Sequence, residues 1–366
     1  MKDAKWMQRA LDLAVLAAGK TSPNPLVGAV LVNDQEEIVG EGWHHRAGAA
    51  HAEVNALAMA GTKARGATAY VTLEPCSHYG RTGPCADALI AAGVRKVVVA
   101  TKDPNPQVAG KGLCKLQEAG IEVVTGVLAP AALKINEVFF QWVTTGKPFV
   151  ALKYAMTLDG KIATASGDSK WITGEVARTY AHYLRGIYDG ILVGKGTVLA
   201  DNPALTCRLS PGKNPVRIVL DARLEIPPTA QVLADGEAPT LLVTSTTVST
   251  KLVEARSKLP QVEVLQVGTV DGKIDLAALL RVLGARKITG LLVEGGSATH
   301  GAFYAAGLVN RVYAFIAPKI IGGAGALPPI GGCGAPTIAT GRQLTALETK
   351  VLGQDLLITG SLAKEV

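Results

Sequence analysis

Apolar positions along this chain follow two alternating patterns. Short runs such as "LVGAVLV" (26–32) and "ATAYVTL" (67–73) have the length and β-branched content of buried strands. Between them, "HAEVNALAMA" (51–60) and "CADALIAAG" (85–93) space their apolar residues as helices do, with Gly93 placed to close the second. The strand "KVVVA" (96–100), a helix near 110–119, the strand "IEVVTG" (121–126) and a helical stretch over 129–143 complete a first series. The pattern breaks at "TTGKP", where Gly146 and Pro148 punctuate the chain. A domain boundary there gives domains at 1–146 and 147–366. A second series follows: "FVALKYA" (149–155), a helix at 174–186, "GILVG" (190–194), "PVRIVLD" (215–221) and "TLLVTS" (240–245). It continues through "VEVLQVG" (262–268), "GLLVEGG" (290–296) and "VYAFIAP" (312–318). Alternation of this kind is the mark of α/β domains, and it leaves the strand order open.

Composition agrees with a well-buried globular chain: of 366 residues, 48% are hydrophobic and 18% charged, and this length suits two domains. The opening "MKDAKWMQRALDLAVLAAGK" is interrupted at helical spacing by Asp3, Gln8, Arg9 and Asp12, which favours an amphipathic first helix over a signal peptide. No apolar run is long enough to predict a membrane span. Five cysteines, an odd number, argue against a disulfide framework and for a reducing, cytoplasmic setting. A net charge of +7 calls for anionic partners. Because Lys and Arg are scattered rather than massed, a small phosphorylated molecule is expected rather than nucleic acid.

The first domain concentrates metal-binding residue types. His44, His45, His51 and His78 share a short stretch with Cys76 and Cys85. Catalytic zinc takes three nitrogen or sulfur ligands and keeps one position open, a set that His51, Cys76 and Cys85 supply. The alternative puts His78 in place of Cys85. Glu53, two residues beyond His51, suits proton transfer from an activated water to departing ammonia, as in a deaminase. Cys85 opens a predicted helix, whose dipole favours a thiolate. The eight residues between the cysteines exceed the P-C-x-x-C spacing of base deaminases and form a polar loop. Within it Arg81 suits a phosphate and His78 a base or sugar.

The second domain lacks G-x-G-x-x-G, which removes the case for a Rossmann site. It offers two strand-to-helix turns, "ILVGKGTVLAD" and "LLVEGGSATHGAF", that could each present backbone N–H groups to an anion. Gly295 and Gly296 would allow a pyrophosphate to approach closely. Ser245, after a strand, is a further candidate for a cofactor phosphate, while His182 and His300 read as packing or helix-surface residues.

The segments "SPNPLVGAV", "HAEVNAL", "TLEPCSHYGRTGPC", "KDPNPQVAGKG", "LDGKIAT", "SKWIT", "GTVLADNPALTCR", "VEGGSATHGAF" and "APKIIGG" together resemble the bifunctional riboflavin-biosynthesis deaminase/reductase family. The resemblance runs through nearly the whole chain, and the wide cysteine spacing is usual in that family. Gly83, where the family more often has Pro, departs from it.

The resemblance implies an N-terminal cytidine-deaminase-like α/β/α domain and a C-terminal dihydrofolate-reductase-like α/β domain. The first would be zinc-dependent and remove the 2-amino group of 2,5-diamino-6-ribosylamino-4(3H)-pyrimidinone 5′-phosphate. The second would use NADPH to reduce the ribosyl group of the product to ribityl. By position, His51, Cys76 and Cys85 resemble the family's zinc ligands and Glu53 its proton shuttle. Asn24, His44, His78, Arg81, Asp103 and Asn105 match its substrate contacts. Ala155, Trp171, Thr197, Asp201, Asp221 and the turn Gly296, Ser297, Ala298, Thr299, His300, Gly301 and Ala302 match its NADPH contacts. Ser169, Arg185, Leu205, Arg208 and Glu294 match the reductase's substrate contacts. Lys153, Asp201 and Glu294 are the polar groups expected nearest the reduced carbon, with a purely structural ion pair from Lys153 to an acid as the alternative. A homo-oligomer is expected from the resemblance alone. A nucleic-acid base deaminase is the competing enzyme reading, disfavoured by the reductase segments. A non-catalytic protein with a structural zinc is disfavoured by Glu53 and by a three-ligand set.

Overall fold

Gly146 adopts a φ of 67°, the left-handed conformation that ends a helix, and the chain divides there into two units. They are Met1–Gly146 and Lys147–Val366 in a computed structural model that describes residues 2–79, 83–105, 108–209 and 212–362.

The first unit runs α1 (Lys2–Ala14), β1 (Gly28–Val32), β2 (Ile38–Trp43), α2 (Ala52–Ala60), β3 (Thr68–Val71) and α3 (Cys85–Ala92). It continues with β4 (Lys96–Val99), α4 (Lys111–Glu118), β5 (Glu122–Thr125), α5 (Ala129–Ile135) and α6 (Glu137–Thr145). The sheet order is β2-β1-β3-β4-β5, antiparallel about β1 and parallel from β3 to β5. Both faces are covered, and the strands show it by their period of two. Ala29 and Leu31 of β1 pack with Ala52, Ala56 and Ala60 of α2 and Leu89 of α3, whereas Val30 and Val32 pack with Met7, Ala10 and Leu11 of α1. Two glycines allow the helices to approach. A Cβ on Gly28 would lie 1.9 Å from the Ala10 carbonyl oxygen, and one on Gly42 would lie 2.4 Å from that of Ala52.

Helix 129–143 of the sequence pattern is two helices. Asn136 breaks it, and its buried amide makes paired bonds of 2.8 Å to the backbone N–H and carbonyl of Leu26. Strand β2 escapes the pattern because Gly40 and Gly42, needed for α2 to pack, dilute its β character.

The second unit runs β6 (Phe149–Thr157), α7 (Glu175–Ile187), β7 (Gly190–Gly194), α8 (Lys195–Asp201), β8 (Val216–Leu220), α9 (Gln231–Ala234), β9 (Thr240–Ser245), α10 (Thr250–Ser257) and β10 (Val262–Val267). Then come the small hairpin β11 (Thr269–Val270) and β12 (Lys273–Ile274), α11 (Leu276–Ala285), β13 (Gly290–Val293), α12 (Ser297–Ala305) and β14 (Arg311–Ala317). A C-terminal hairpin, β15 (Leu344–Leu352) and β16 (Asp355–Leu362), ends the unit. The order β10-β9-β8-β7-β13-β6-β14-β16-β15 is parallel from β10 to β14, and β16 and β15 add on in antiparallel fashion. Strand β13 sits between β6 and β7. The carboxyl ends of these three neighbours therefore meet where the chain order reverses, the place where open α/β sheets hold ligands.

Candidate active sites

In the first unit, two helix starts and one strand exit converge. His51 is the residue before α2, in extended conformation, and Cys85 is the first residue of α3. Cys76 follows β3, and the backbone N–H of Cys85 donates to its sulfur at 3.3 Å. The ligand atoms of His51, Cys76 and Cys85 all lie within 4.8 Å of one another. His51 Nδ1 is 3.2 Å from Cys85 Sγ and 3.6 Å from Cys76 Sγ. Zinc bonds of about 2.3 Å to sulfur and about 2.0 Å to nitrogen at a tetrahedral angle would set such atoms about 3.5 Å apart. The donor set and its spacing therefore fit zinc. His78, the alternative ligand, is exposed and lies outside this cluster.

Electrostatics sort the two thiols. Cys76 is lowered to about 4, chiefly by a hydrogen bond from Cys85 and also by His51. Cys85 is pushed up by that same hydrogen bond and by burial. Glu53, in the first turn of α2, is buried, and burial pushes its carboxyl up to about 7. A buried carboxyl raised in this way beside metal-type donors is suited to proton transfer.

Around this cluster, His44 Nδ1 faces the Ala50 carbonyl at 3.1 Å and so carries the hydrogen. Its Nε2 then accepts from the Asn24 amide at 3.1 Å, which fixes the orientation of that amide. Burial lowers the proton affinity of His44, in keeping with a neutral ring, and that ring lies edge-on to His51 at 5.4 Å. Asp103 accepts from the Asn105 N–H at 2.9 Å, and burial raises its carboxyl. Arg81 lies outside the described residues. One residue escaped the sequence reading: the Glu74 carboxylate, buried at 4% exposure, accepts backbone N–H groups from Asp103, Gly110 and Gly112. Its signal was an acid at the end of an apolar strand, directly before Pro75-Cys76.

In the second unit, Glu294 leaves β13 nearly buried between two cations. Arg185 of α7 grips it with two bonds of 2.8 and 3.0 Å, and Lys153 of β6 reaches it at 3.3 Å. Burial alone would raise the carboxyl, but the charges of Arg185 and Lys153 outweigh it and hold Glu294 well below the usual range. Arg185 Nη1 also donates to the Thr206 carbonyl at 3.2 Å, so its fork is engaged within the fold. Ser169 donates to Asp201 at 3.3 Å. The Gly296 N–H donates to Thr197 Oγ1 at 2.9 Å, tying together the two glycine-containing turns. Trp171 is 62% exposed with the Arg178 guanidinium 4.9 Å from its ring; Arg208 is exposed and Leu205 buried. Ala155 lies on β6.

Other expected contacts are turned inward. The His300 ring is 1% exposed, with Nδ1 3.0 Å from the Pro329 carbonyl and Nε2 3.1 Å from that of Val293. It packs, as read from the sequence, and any cofactor contact there falls to its backbone. Asp221, equally buried, accepts the N–H of Ile226 at 2.7 Å and that of Arg223 at 3.4 Å. Ser245 is buried against Thr247 at 2.8 Å. Gly295 and Gly301 serve close packing: a Cβ would lie 2.8 Å from Thr299 Cβ in the first case and 2.1 Å from the Gly331 carbonyl oxygen in the second. No helix among the described residues is long and apolar enough to cross a membrane.

Two family models match the chain. The cytidine and deoxycytidylate deaminase zinc-binding region covers residues 1–101, and the RibD C-terminal domain covers residues 148–358. Curated relatives include the riboflavin biosynthesis protein RibD of Actinobacillus pleuropneumoniae, 45% identical over 98% of this chain and 95% of that one. That of Aquifex aeolicus is 47% identical over 97% of each. Among solved structures, Acinetobacter baumannii RibD superposes with a TM-score of 0.88 at 39% identity over 99% of both chains. A Thermotoga maritima diaminohydroxyphosphoribosylaminopyrimidine deaminase/5-amino-6-(5-phosphoribosylamino)uracil reductase does so at 0.84 and 39% over the same share of each.

Proposed function

The chain belongs to the RibD family of bifunctional riboflavin-biosynthesis deaminase/reductases, and from that premise we propose how its residues divide the two reactions between 1–146 and 147–366. The enzyme uses Zn2+ and NADPH. In the first reaction, 2,5-diamino-6-ribosylamino-4(3H)-pyrimidinone 5′-phosphate loses its 2-amino group as ammonia. In the second, the ribosyl group of the resulting uracil is reduced to ribityl.

His51, Cys76 and Cys85 would hold the zinc, which would supply the Lewis acidity that makes water nucleophilic near neutral pH. Glu53 is placed to hold a proton on a carboxylate oxygen between the attacking water and the leaving amine. Asn24, His44, His78, Asp103 and Asn105 contact the substrate, and Arg81 meets its phosphate. The observation that carries this reading is the three-donor cluster with a buried carboxyl beside it.

NADPH would supply the hydride, and Ala155, Trp171, Thr197 and Asp201 would hold it together with the backbone of Asp221, Gly296, Ser297, Ala298, Thr299, His300, Gly301 and Ala302. Lys153 holds a proton at Nζ against Glu294 and faces the sugar with Asp201. Ser169, Leu205 and Arg208 bind the sugar phosphate. Arg185, through its two bonds to Glu294, fixes that carboxylate rather than standing free for the phosphate. A cytoplasmic homo-oligomer completes the proposal.

The test gives zinc-loaded protein the diaminopyrimidine phosphate with and without NADPH. Ammonia release without NADPH is expected, with NADPH oxidation only once deaminated product exists. Oxidation of NADPH by the unreacted diaminopyrimidine would overturn the division.

A further inference from the structure

The segment that carries Asp103 and Asn105 is attached to the metal-binding strand exit by one side chain. Glu74 Oε2 accepts from the N–H of Asp103 at 3.3 Å and from that of Gly110 at 3.0 Å, and Oε1 accepts from that of Gly112 at 3.0 Å. These bonds catch both ends of the connection between β4 and α4. A buried carboxylate that receives several backbone N–H groups is a stiff anchor, since each bond is charge-assisted and the buried Gly112 N–H would otherwise lack a partner. The first turn of α4 also touches the strand exit backbone to backbone. A Cβ on Gly112 would lie 2.0 Å from the Pro75 carbonyl oxygen, so the approach requires glycine. Glu74, Pro75 and Cys76 are consecutive. One tripeptide therefore delivers a metal ligand and fixes where Asp103 and Asn105 stand relative to it.

The geometry points to Glu74 as a positioning residue for substrate recognition in the deaminase reaction. It acts through Asp103 and Asn105, and it is neither a metal ligand nor a proton carrier. The inference rests on the deaminase reading of the first unit, which the wild-type ammonia assay tests separately. A glutamine at 74 keeps the shape but replaces one acceptor oxygen with an N–H2 that faces N–H donors.

The experiment compares wild type, Glu74→Gln, Asp103→Asn and the double variant. It measures bound zinc by metal analysis, KM and kcat for deamination, and reductase turnover with supplied uracil substrate. For Glu74→Gln we expect full zinc occupancy, unchanged reductase turnover, a kcat near wild type, and a KM raised about 10-fold or more, the scale of losing a charge-assisted hydrogen bond. In the Asp103→Asn background the same change should raise KM by a much smaller factor, because the two residues act through one contact. A wild-type KM, or loss of zinc with KM unchanged, overturns the proposal, as do fully multiplicative effects in the double variant. If Glu74→Gln does not yield folded protein, Gly112→Ala decides. It presses the same segment away from Pro75 with Glu74 intact, so a raised KM with zinc retained supports the proposal and a wild-type KM overturns it.

Discussion

Arg185 holds Glu294 through two parallel hydrogen bonds, Nε to Oε1 at 2.8 Å and Nη2 to Oε2 at 3.0 Å, with both side chains nearly buried. The pair joins α7 to the end of β13, and Lys153 on β6 adds a second positive charge to the same carboxylate. Replacing Arg185 with Ala leaves a buried carboxylate short of its main partner. We predict a loss of about 3 kcal/mol in the stability of the second unit, the scale seen when one member of a buried pair is removed. Urea unfolding would show it, and a loss below about 1 kcal/mol would mean the pair is solvated in solution.

The same cluster sets a pH dependence. Glu294 titrates lower in the folded protein than its ordinary value of 4.5, so its ion pairs contribute in full above that value. The contribution is lost as pH falls from there towards the folded value. The stability gap between wild type and Glu294→Gln should therefore be constant from neutral pH down to that point and shrink in more acid solution. A gap that held constant through the acid range would contradict the assignment.

How legible these two sites are in the sequence depends on how far apart their residues lie. His51, Glu53, Cys76 and Cys85 fall in one short stretch, and their residue types are rare enough together to announce a metal site. Lys153 and Glu294 are 141 residues apart and meet only because β13 inserts between β6 and β7, an order no local pattern encodes. The pairing of Arg185 with Glu294 is likewise a tertiary fact. Asn136 is similar: an asparagine inside a helical pattern gives no sign that its amide will bind Leu26 and break the helix. The β15–β16 hairpin is missed because β15 is exposed along nearly its whole length and lacks a buried alternation.

The two arginines of the reductase unit should separate kinetically. Arg208 is exposed, whereas the fork of Arg185 is engaged by Glu294 and Thr206. We predict that Arg208→Ala raises the KM for the phosphorylated uracil by about 10-fold with kcat largely kept, as loss of uniform binding does. Arg185→Ala should lower kcat instead. Equal effects on KM from both would return Arg185 to the phosphate.

His300 presents both ring nitrogens to carbonyl oxygens, those of Pro329 and Val293. Its neighbour Gly301 packs on Gly331, whose N–H donates to Ser297 at 3.0 Å. Burial lowers the proton affinity of His300, so its neutral ring donates to one of these two carbonyls, and replacing it with Phe removes that hydrogen bond. We predict a loss of about 1–3 kcal/mol, together with faster hydrogen exchange at the Gly331 amide. Deaminase activity should be unaffected. Unchanged exchange at Gly331 would show that the glycine packing alone holds the loop.

Glu53 and the zinc ligands should fail differently, and the difference tests their division of labour. The three donors are held by separate elements, the residue before α2, the exit of β3 and the start of α3, so zinc ties these together when it binds. Chelation should abolish ammonia release and lower the thermal stability of the first unit, because a ligand that binds only the folded state stabilises it by mass action. Glu53→Gln keeps the donors and removes the proton carrier. It should retain zinc and near-wild-type stability, or gain some, since a neutral amide suits that buried position better than an ionised carboxylate. Its deamination rate should fall by about 100-fold or more, the contribution expected of a general acid–base group. Reductase turnover on supplied uracil substrate should continue in both the chelated protein and the variant. A Glu53→Gln protein that lost its zinc would overturn this division of labour, and one that kept its deamination rate would place the proton transfer on another residue.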